Sequence, residues 1–440
     1  MRLLFALVVA LATTYSAPAA SLLEAVPTES GPRDVVCEAV EIVLPDQNGE
    51  PDAVMHAYSY SVDDDTDRPV TFLWNGGPGA SAALLHTSFA GPVTAPVESD
   101  RARTLAYNPH TLIDLTDLVF VDPVGTGLSR AIPEGDASDF WGVTEDADAA
   151  ARFVSAYLRQ HGASSRPVYL CGESYGAVRV AAMLAPLDDA GIHPEGLILI
   201  SPALESRTLR PKARSASART ARADTLPTYA AISLATGART SDDARAFIED
   251  ACEFAHGPYL EALRAPERPT GEALELLTTL RDRFTDRPDT DDRDQHDARF
   301  PQSGDAMNGI EVDELGAALS HLLRRAHTIE TNGRYVLLNR QANMRWRSPS
   351  GRRGLSRSDI RATRMIADAA EAGRATRVFI AGGWYDLVTP FAISRRLARE
   401  GAFGDADITV TDYPAGHVIY ADHDAHDDLA HDLREWWNSL

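Results

Sequence analysis

The sequence predicts an α/β protein built on a mostly parallel sheet. Short, almost wholly apolar runs recur along the chain, and strands that are buried on both faces have this composition. Segments with helical periodicity separate these runs, and an alternation of strands and helices is typical of α/β folds. The alternation stops over about residues 205–376, which indicates an insertion into the sheet fold.

The strand candidates are of two kinds. Two runs that alternate apolar and polar residues, "VVCEAVEIV" at 35–43 and "VMHAYSYSV" at 54–62, come first and predict an antiparallel pair. The nearly all-apolar runs predict buried strands of a parallel sheet and lie at 70–74, 118–122, 167–171, 196–200, 377–382 and 408–413.

Helical patterns connect these strands. Residues 145–162 begin with acidic side chains and end at Gly162, which suits the helix dipole and a C-terminal stop. Residues 177–187 and 359–373 have the same periodicity. We therefore expect helices that flank the sheet.

The insertion divides the predicted core into residues 21–204 and 377–440. Residues 313–327, "DELGAALSHLLRRAH", predict one of its helices, so we expect a helical cap over residues 205–376, on the edge of the sheet that carries the candidate site residues described below. An acidic, arginine-rich run at 281–299 predicts a solvated or partly disordered loop.

The N-terminal residues 1–20 have the pattern of a signal peptide. Arg2 supplies the positive charge, "LLFALVVALA" is too short to span a bilayer, and "SAPAAS" offers cleavage near Ala19 or Ala20. The 440-residue chain carries a net charge of −22, which argues against nucleic acid and anionic membranes as partners. We expect an exported, soluble protein, either periplasmic or extracellular.

The chain contains three cysteines, and an odd number excludes a complete disulfide framework. Cys171 lies in an apolar run and is expected to be buried in a strand. Cys37 and Cys252 either form a bridge or remain free. Their spacing does not indicate a metal site, and we expect neither a metal nor another cofactor.

The candidate nucleophile is Ser174, in "GESYG" at residues 172–176. A buried strand precedes this Gly-x-Ser-x-Gly pattern and an apolar helix follows it, which is the context of a sharp strand-to-helix turn that exposes a reactive serine. Gly172 and Gly176 relieve the crowding in such a turn. The helix N-terminus favours the negative charge that develops at the serine.

A serine nucleophile needs a base and a group that orients the base. Asp386 and His417 each lie in a loop that follows one of the last two predicted strands, where α/β sheets build their sites. Asp412 is the alternative acid, but we expect it to belong to the strand. His423, His426 and His431 lie in an acidic terminal helix that we expect to pack through Leu429, Leu433 and Trp436 or Trp437, so these histidines are expected to be solvated rather than to ligate a metal.

The loop "NGGPG", residues 75–79, follows the strand at 70–74. Acyl transfer needs N–H donors for the oxyanion, and one normally comes from the residue after the nucleophile, here Tyr175. The second comes from a glycine-rich loop after an earlier strand, which makes Gly77 the candidate donor.

Together, "WNGGPGAS", "VFVDPVGTGLSR", "GESYGA", "GGWYDLVTP" and "AGHVIY" resemble the ordered motifs of the serine carboxypeptidase family. The resemblance spans roughly residues 70–420 and implies an α/β-hydrolase fold and removal of single residues from the C-termini of peptides. It matches Ser174, Asp386 and His417 to the catalytic triad, and Gly77 and Tyr175 to the oxyanion hole.

The resemblance also implies that Asn75 and Glu173 bind the terminal carboxylate of the substrate. Burial raises the pKa of a carboxyl, and a protonated Glu173 would donate a hydrogen bond to that carboxylate. A Glu173 that only braces the oxyanion loop is the alternative. The chain departs from the family at Ala80, where many members have a disulfide-forming cysteine, and at "GGWYD", which is one residue longer than the family pattern.

The sequence thus favours an exported serine-type carboxypeptidase that acts through an acyl-enzyme on Ser174. Its expected partners are peptides with a free C-terminus. An esterase or acyltransferase on the same scaffold is the alternative, because an acyl-enzyme can pass its acyl group to an alcohol.

Overall fold

In the computed structural model, ten strands of the described chain form one sheet. The structure describes residues 20–62, 67–94, 105–133, 137–205, 215–265, 270–285, 292–301, 312–331, 334–350, 360–374 and 377–439. The predicted signal peptide, residues 1–20, lies outside these ranges except for its last residue. Among the described residues, no helix combines the length and the apolarity that a bilayer crossing needs.

The strands of the described chain are β1 (Ser21–Val26), β2 (Arg33–Pro45), β3 (Pro51–Val62), β4 (Val70–Trp74), β5 (Val93–Thr94), β6 (Ala106–Tyr107), β7 (Asp117–Val121), β8 (Arg130–Ala131), β9 (Val168–Glu173), β10 (Gly196–Ile200), β11 (Arg377–Gly383) and β12 (Asp407–Tyr413). Eight strands match the predicted runs, and four short strands, β1, β5, β6 and β8, match none. The sheet order is β1-β2-β3-β7-β4-β9-β10-β11-β12, with β8 paired to β3, while β5 and β6 form a separate pair.

The sheet has an antiparallel part and a parallel part. Strands β1, β2, β3 and β7 pair antiparallel, and the strands from β7 through β4 to β12 pair parallel. The alternating runs predicted the antiparallel pair of β2 and β3. The carboxyl ends of β4, β9, β10, β11 and β12 therefore lie side by side at one edge of the sheet. This edge receives the loops that the sequence identifies as functional.

The helices lie before, within and after the predicted insertion. They are α1 (Val143–Gln160), α2 (Gly176–Asp189), α3 (Ala216–Ala235), α4 (Ala244–Phe254), α5 (Leu260–Arg264), α6 (Gly271–Phe284), α7 (Val312–Ala326), α8 (Arg340–Arg345), α9 (Ala362–Glu371), α10 (Ala392–Arg399) and α11 (His423–Asn438). Short helical turns occur at Leu85–Phe89, Ser138–Phe140, Ala255–Tyr259 and Ile419–Ala421.

Apolar side chains cover both faces of the sheet. Along β10, Leu197 and Leu199 belong to a cluster with α1 and α2, whereas Ile198 belongs to a second cluster with α11. Burial of each such side chain stabilises the fold by about 1.5–3 kcal/mol. Helix α11 packs as predicted, since all of its expected apolar contacts are buried: Leu429, Leu433, Trp436 and Trp437.

Helices α3 to α9 all fall between β10 and β11 along the chain. Buried residues of the insertion pack around Trp384 and Phe391 of the core in a third apolar cluster, and they include Leu226, Ile248, Phe254 and Phe284. The cap is thus attached to the sheet by an apolar contact. The predicted domain boundaries at residues 205 and 376 stay predictions.

The structure also tests the predictions for the three cysteines, for Asp412 and for the charged run at 281–299. Cys37, Cys171 and Cys252 are all free and buried, so the bridge that the sequence left open is not formed. Asp412 belongs to β12, as expected. The run at 281–299 is not simply a solvated loop. Its first residues end α6, residues 286–291 lie outside the described ranges, and residues 292–301 contact the core.

Candidate active site

Ser174 occupies a sharp turn between β9 and α2. Its φ angle is +57°, a left-handed conformation that strains a residue with a side chain. A Cβ on Gly172 would lie 2.3 Å from the Gly176 oxygen, and a Cβ on Gly176 would lie 2.5 Å from the Trp74 oxygen. Neither position has room for a side chain, so both glycines of the motif are required. Within the described chain, the Ser174 side chain makes no hydrogen bond and is half-buried, so its hydroxyl is available.

Asp386 and His417 meet at the ends of β11 and β12. His417 Nδ1 and Asp386 Oδ2 are 2.6 Å apart, and both side chains are buried. The carboxylate accepts three further hydrogen bonds, from the Val388 N–H, the Thr389 N–H and the Thr389 hydroxyl. Because the carboxylate can only accept, His417 carries its proton on Nδ1, and Nε2 is the basic nitrogen.

The pKa values of this pair move apart in the directions that a charged pair needs. Burial disfavours the imidazolium of His417, but the Asp386 charge and hydrogen bond outweigh burial, and the pKa of His417 is raised. Burial also opposes the charge of Asp386, yet His417 and the hydrogen bonds from Thr389 lower its pKa. An imidazolium that forms at His417 is therefore stabilised.

Hydrogen bonds connect the Ser174 turn to the His417 loop. The Ser174 N–H donates to the Ile200 oxygen at 2.9 Å, and the next residue, Ser201, donates its hydroxyl to the His417 oxygen at 2.6 Å. The Thr389 hydroxyl lies 3.0 Å from the Ser201 oxygen. The end of β10 thus joins the loops that carry the three predicted triad residues.

The glycine-rich loop lies directly against the Ser174 turn. A Cβ on Gly76 would come within 2.5 Å of the Tyr175 nitrogen, so only glycine permits this approach. Gly77 has a φ angle of +98°. The N–H groups of Gly77 and Tyr175 donate to no other residue in the described ranges, which leaves both available to an oxyanion.

The insertion holds the far side of this loop. Gly79 accepts a hydrogen bond from the Asn339 N–H at 2.7 Å, and a Cβ on Gly79 would lie 2.6 Å from the Asn339 oxygen. Ser81 N–H donates to the Leu337 oxygen at 3.0 Å. The position of the loop therefore depends on residues from both the core and the insertion.

Glu173 and Asn75 form a buried pair beside Ser174. Asn75 Nδ2 donates to Glu173 Oε2 at 3.0 Å, and the hydroxyl of Tyr420 donates to the same oxygen. Asn75 Oδ1 accepts from the Leu85 N–H at 3.1 Å, which fixes the orientation of the amide. Both donors address one oxygen of Glu173, so the other oxygen is left for a further partner.

Burial raises the pKa of Glu173 to about 7, against the opposing effects of His417, Tyr420 and Asn75. Among the described residues, no Lys or Arg forms a hydrogen bond or an ion pair with this carboxyl, whose donors are Asn75 and Tyr420. The group is therefore neutral in mildly acidic solution and can donate as well as accept a hydrogen bond.

The sequence did not identify two residues that support this site. Tyr420 lies in the motif "AGHVIY", but neither the motif nor its spacing indicates what this side chain contacts. Arg179 is fully buried in α2, donates to Asp146 at 2.8 Å and to the Asn75 oxygen at 2.7 Å, and so fixes the backbone of Asn75. A single arginine in the apolar run "AVRVAAML" was the available signal, because a buried charge needs a partner.

The histidines of α11 only partly match the prediction. His423 and His431 are exposed, but His426 is buried against His110 and Phe89, so its expected solvation is wrong. In the described chain, donor atoms of exposed residues come within 4.8 Å of one another in the group His423, Asp424 and Asp427. Exposed groups of this kind are common without a bound ion.

Comparison with known proteins extends the sequence evidence. The family model for serine carboxypeptidases matches residues 46–190, which include the "NGGPG", "DPVGTG" and "GESYG" motifs. No curated protein sequence matches the chain. The family match confirms the resemblance that these motifs predicted.

Solved structures resemble the chain at low identity. A prohormone-processing carboxypeptidase from Saccharomyces cerevisiae is 14% identical, with a TM-score of 0.53, and the match covers 82% of this chain and 76% of that one. This likeness confirms the predicted α/β-hydrolase fold. A haloalkane dehalogenase variant from Bradyrhizobium elkanii is also 14% identical, with 92% and 97% covered and a TM-score of 0.37. At that TM-score, the second likeness bears on neither fold nor function.

Proposed function

We propose that this protein is a serine-type carboxypeptidase that is exported and releases C-terminal residues from peptides through an acyl-enzyme on Ser174, which the match of residues 46–190 to the serine carboxypeptidase family model supports. His417 acts as general base and acid, and Asp386 orients it. The N–H groups of Gly77 and Tyr175 stabilise the oxyanion. Asn75 and Glu173 bind the terminal carboxylate of the peptide.

The reaction has two halves. Ser174 Oγ attacks the carbonyl carbon of the last peptide bond while His417 Nε2 takes its proton. The C–N bond breaks, and His417 returns the proton to the amine of the leaving amino acid. A water molecule then attacks the acyl-enzyme by the same route, which frees the shortened peptide and restores Ser174.

One observation carries the substrate assignment, namely the free oxygen of a neutral Glu173 next to Ser174. A carboxypeptidase must recognise a terminal carboxylate, and arginine or lysine would be the usual partner. Here Asn75 and Tyr420 both donate to Oε2, so the proton of a neutral Glu173 belongs on Oε1. That O–H can donate to the substrate carboxylate, which explains recognition without a cation.

The proposed recognition predicts a pH dependence with a defined sign. Glu173 is protonated below its pKa of about 7 and repels a carboxylate above it. Peptide binding should therefore weaken as the pH rises through about 7. Proton transfer by His417 needs the neutral imidazole and improves as the pH rises through the pKa of His417. For peptides with a free C-terminal carboxylate, kcat/KM should therefore rise and then fall as the pH increases. For the matching C-terminal amides, kcat/KM should only rise.

The test is kcat/KM against pH for matched peptide acids and amides. We expect Glu173→Gln, which donates at every pH, to flatten the fall above pH 7 for the acids. Asn75→Ala should weaken acids more than amides, by about 1–3 kcal/mol if a buried partner is left unpaired. Equal rates for acids and amides across the range in the unmodified enzyme would overturn the carboxylate-binding role and favour the esterase alternative.

Export is supported by the N-terminal pattern of Arg2, a short apolar run and small residues at 16–21. Expression of the full chain and mass analysis of the recovered protein test it. Export predicts a product in the periplasm or medium that begins close to Ser21. A cytoplasmic product that retains Met1 would contradict it.

A further inference from the structure

Residues 292–301, here called the clamp segment, bind the two loops that carry Asp386 and His417. The His417 N–H donates to the His296 oxygen at 2.6 Å. The Leu387 N–H, next to Asp386, donates to the Gln295 oxygen at 2.9 Å. Two consecutive carbonyl groups of the clamp segment therefore hold the base loop and the acid loop.

Arg299 strengthens this connection from the same segment. Its guanidinium lies 4.5 Å from the centre of the Tyr385 ring, and Ala298 N–H donates to the Tyr385 oxygen at 3.0 Å. Arg299 Nη1 also donates to Asp422 Oδ2 at 3.0 Å, beyond the His417 loop. The Arg299 side chain thus contacts both Tyr385, which precedes Asp386 in the chain, and Asp422, which follows the His417 loop.

The guanidinium is itself held in place. Arg299 Nη2 donates to Asp297 Oδ2 at 2.7 Å and Nε to Asp297 Oδ1 at 3.0 Å, and Asp297 is fully buried. Such a forked pair fixes both the position and the plane of an arginine. Burial lowers the pKa of Arg299, but the bonds to Asp297 and Asp422 outweigh it and raise the pKa, so the charge is permanent.

Hydrogen bonds between residues of the clamp segment itself hold it in one shape. The Asp294 N–H donates to the Phe300 oxygen at 3.1 Å, and the Phe300 N–H donates to the Asp297 oxygen at 3.0 Å. Arg293 Nη1 crosses the loop to the Ala298 oxygen at 2.9 Å. These internal hydrogen bonds fix the shape of the clamp segment. Its hydrogen bonds to Leu387 and His417 in turn fix the positions of the loops that carry Asp386 and His417.

We propose that Arg299 is a positioning residue that keeps Asp386 and His417 aligned for proton transfer with Ser174. The inference rests on the proposed triad. Misplacement of a reacting group by about 1 Å can lower a rate by roughly 100-fold. Loss of Arg299 should therefore lower kcat while substrate binding by Asn75 and Glu173 persists.

The test compares three variants of the full chain. Arg299→Met keeps the aliphatic stem over Tyr385 but removes the charge, and Arg299→Lys keeps the charge without the fork. Arg283→Met is the matched control, because Arg283 also belongs to the insertion, also lies over a ring, 5.2 Å from the centre of Phe284, and pairs with Asp250 at 3.4 Å.

Each variant is assayed for peptide kcat and KM and for its rate of inactivation by a fluorophosphonate, normalised to titrated serines. We expect Arg299→Met to lower kcat and the inactivation rate by roughly 10- to 100-fold, with KM within threefold. Arg299→Lys should recover part of both losses, and the control should match the unmodified enzyme. Unchanged rates per titrated serine in Arg299→Met would overturn the proposal.

The inactivation rate separates this proposal from the proposed function. If the unmodified enzyme reacts with the fluorophosphonate but cleaves no peptide, the carboxypeptidase assignment fails while the role of Arg299 is still measured. If Arg299→Met does not fold, the inactivation rate of Arg299→Lys is compared with that of the unmodified enzyme instead. A normal inactivation rate in Arg299→Lys would then count against a positioning role, because lysine cannot reproduce the forked contact with Asp297.

Discussion

Replacement of Glu173 by glutamine should change how the stability of the folded protein depends on pH. In the folded chain the pKa of Glu173 is raised from its ordinary value of 4.5 to about 7, chiefly by burial. The unfolded chain therefore releases this proton at a lower pH than the folded chain does. Stability from this group is fully present below about pH 4.5 and is lost as the pH rises to about 7.

The magnitude follows from the size of the pKa shift. Each unit of difference between the folded and unfolded pKa is worth 1.36 kcal/mol, so a rise from 4.5 to about 7 corresponds to about 3 kcal/mol of unfolding free energy. Glutamine does not titrate. The advantage of Glu173→Gln over the unmodified protein should therefore be about 3 kcal/mol greater at pH 8 than at pH 4.5.

Urea unfolding at pH 4.5 and pH 8 measures this difference. Comparison between the two pH values removes the effects of the substitution that do not depend on pH, such as an altered bond to Tyr420. Glu253→Gln, at an exposed position on α4, is the control and should show no such change. A difference between the two pH values below about 0.5 kcal/mol for Glu173→Gln would refute the argument that the carboxyl is held neutral by burial.

Three further predictions concern turnover. Ser174→Ala should remove labelling by a fluorophosphonate and lower kcat by roughly 10⁶-fold without loss of the fold, and activity within tenfold of the unmodified enzyme would contradict its role. His417→Ala should be about as damaging as Ser174→Ala, and Asp386→Asn should cost roughly 10⁴-fold, as measured with the same peptide; a fully active His417→Ala would exclude it as the base. Gly76→Ala places a Cβ 2.5 Å from the Tyr175 nitrogen and should lower kcat by roughly 100-fold or more, with circular dichroism to confirm folding.

The sheet could be predicted from the sequence because its strands are buried on both faces. A run such as "GLILI" at 196–200 leaves few alternatives to an internal parallel strand, and β10 has those bounds. Strand β1 was not predicted. Four of its six residues are apolar, but five of the six are partly or fully exposed and only Val26 is buried, so the strand lacks the continuous buried run of a core strand.

The parts of the candidate site that depend on one local motif were also predictable. The strained turn at Ser174 needs glycines on both sides, and the spacing of "GESYG" shows them directly. The roles of the individual residues remain proposals.

Contacts between distant segments could not be predicted in the same way. The partners of Arg299 are the nearby Asp297 and the distant Tyr385 and Asp422, and no periodicity in the sequence relates these positions. The composition of residues 281–299 suggested solvation, because charged residues are usually exposed. The described part of the run instead pairs several of its charges, both within the run and with Asp250 and Asp422, and contacts the core, which only the tertiary arrangement determines.

The pairing of β10 with β11 has a consequence for the newly made chain. These strands are neighbours in the sheet, but the whole insertion is synthesised between them, so Ser174 leaves the ribosome long before Asp386 and His417. In the proposed triad, the serine has neither its base His417 nor the orienting Asp386 until β11 and β12 add to the edge of the growing sheet. The proposed activity would therefore be absent until the last two strands are in place.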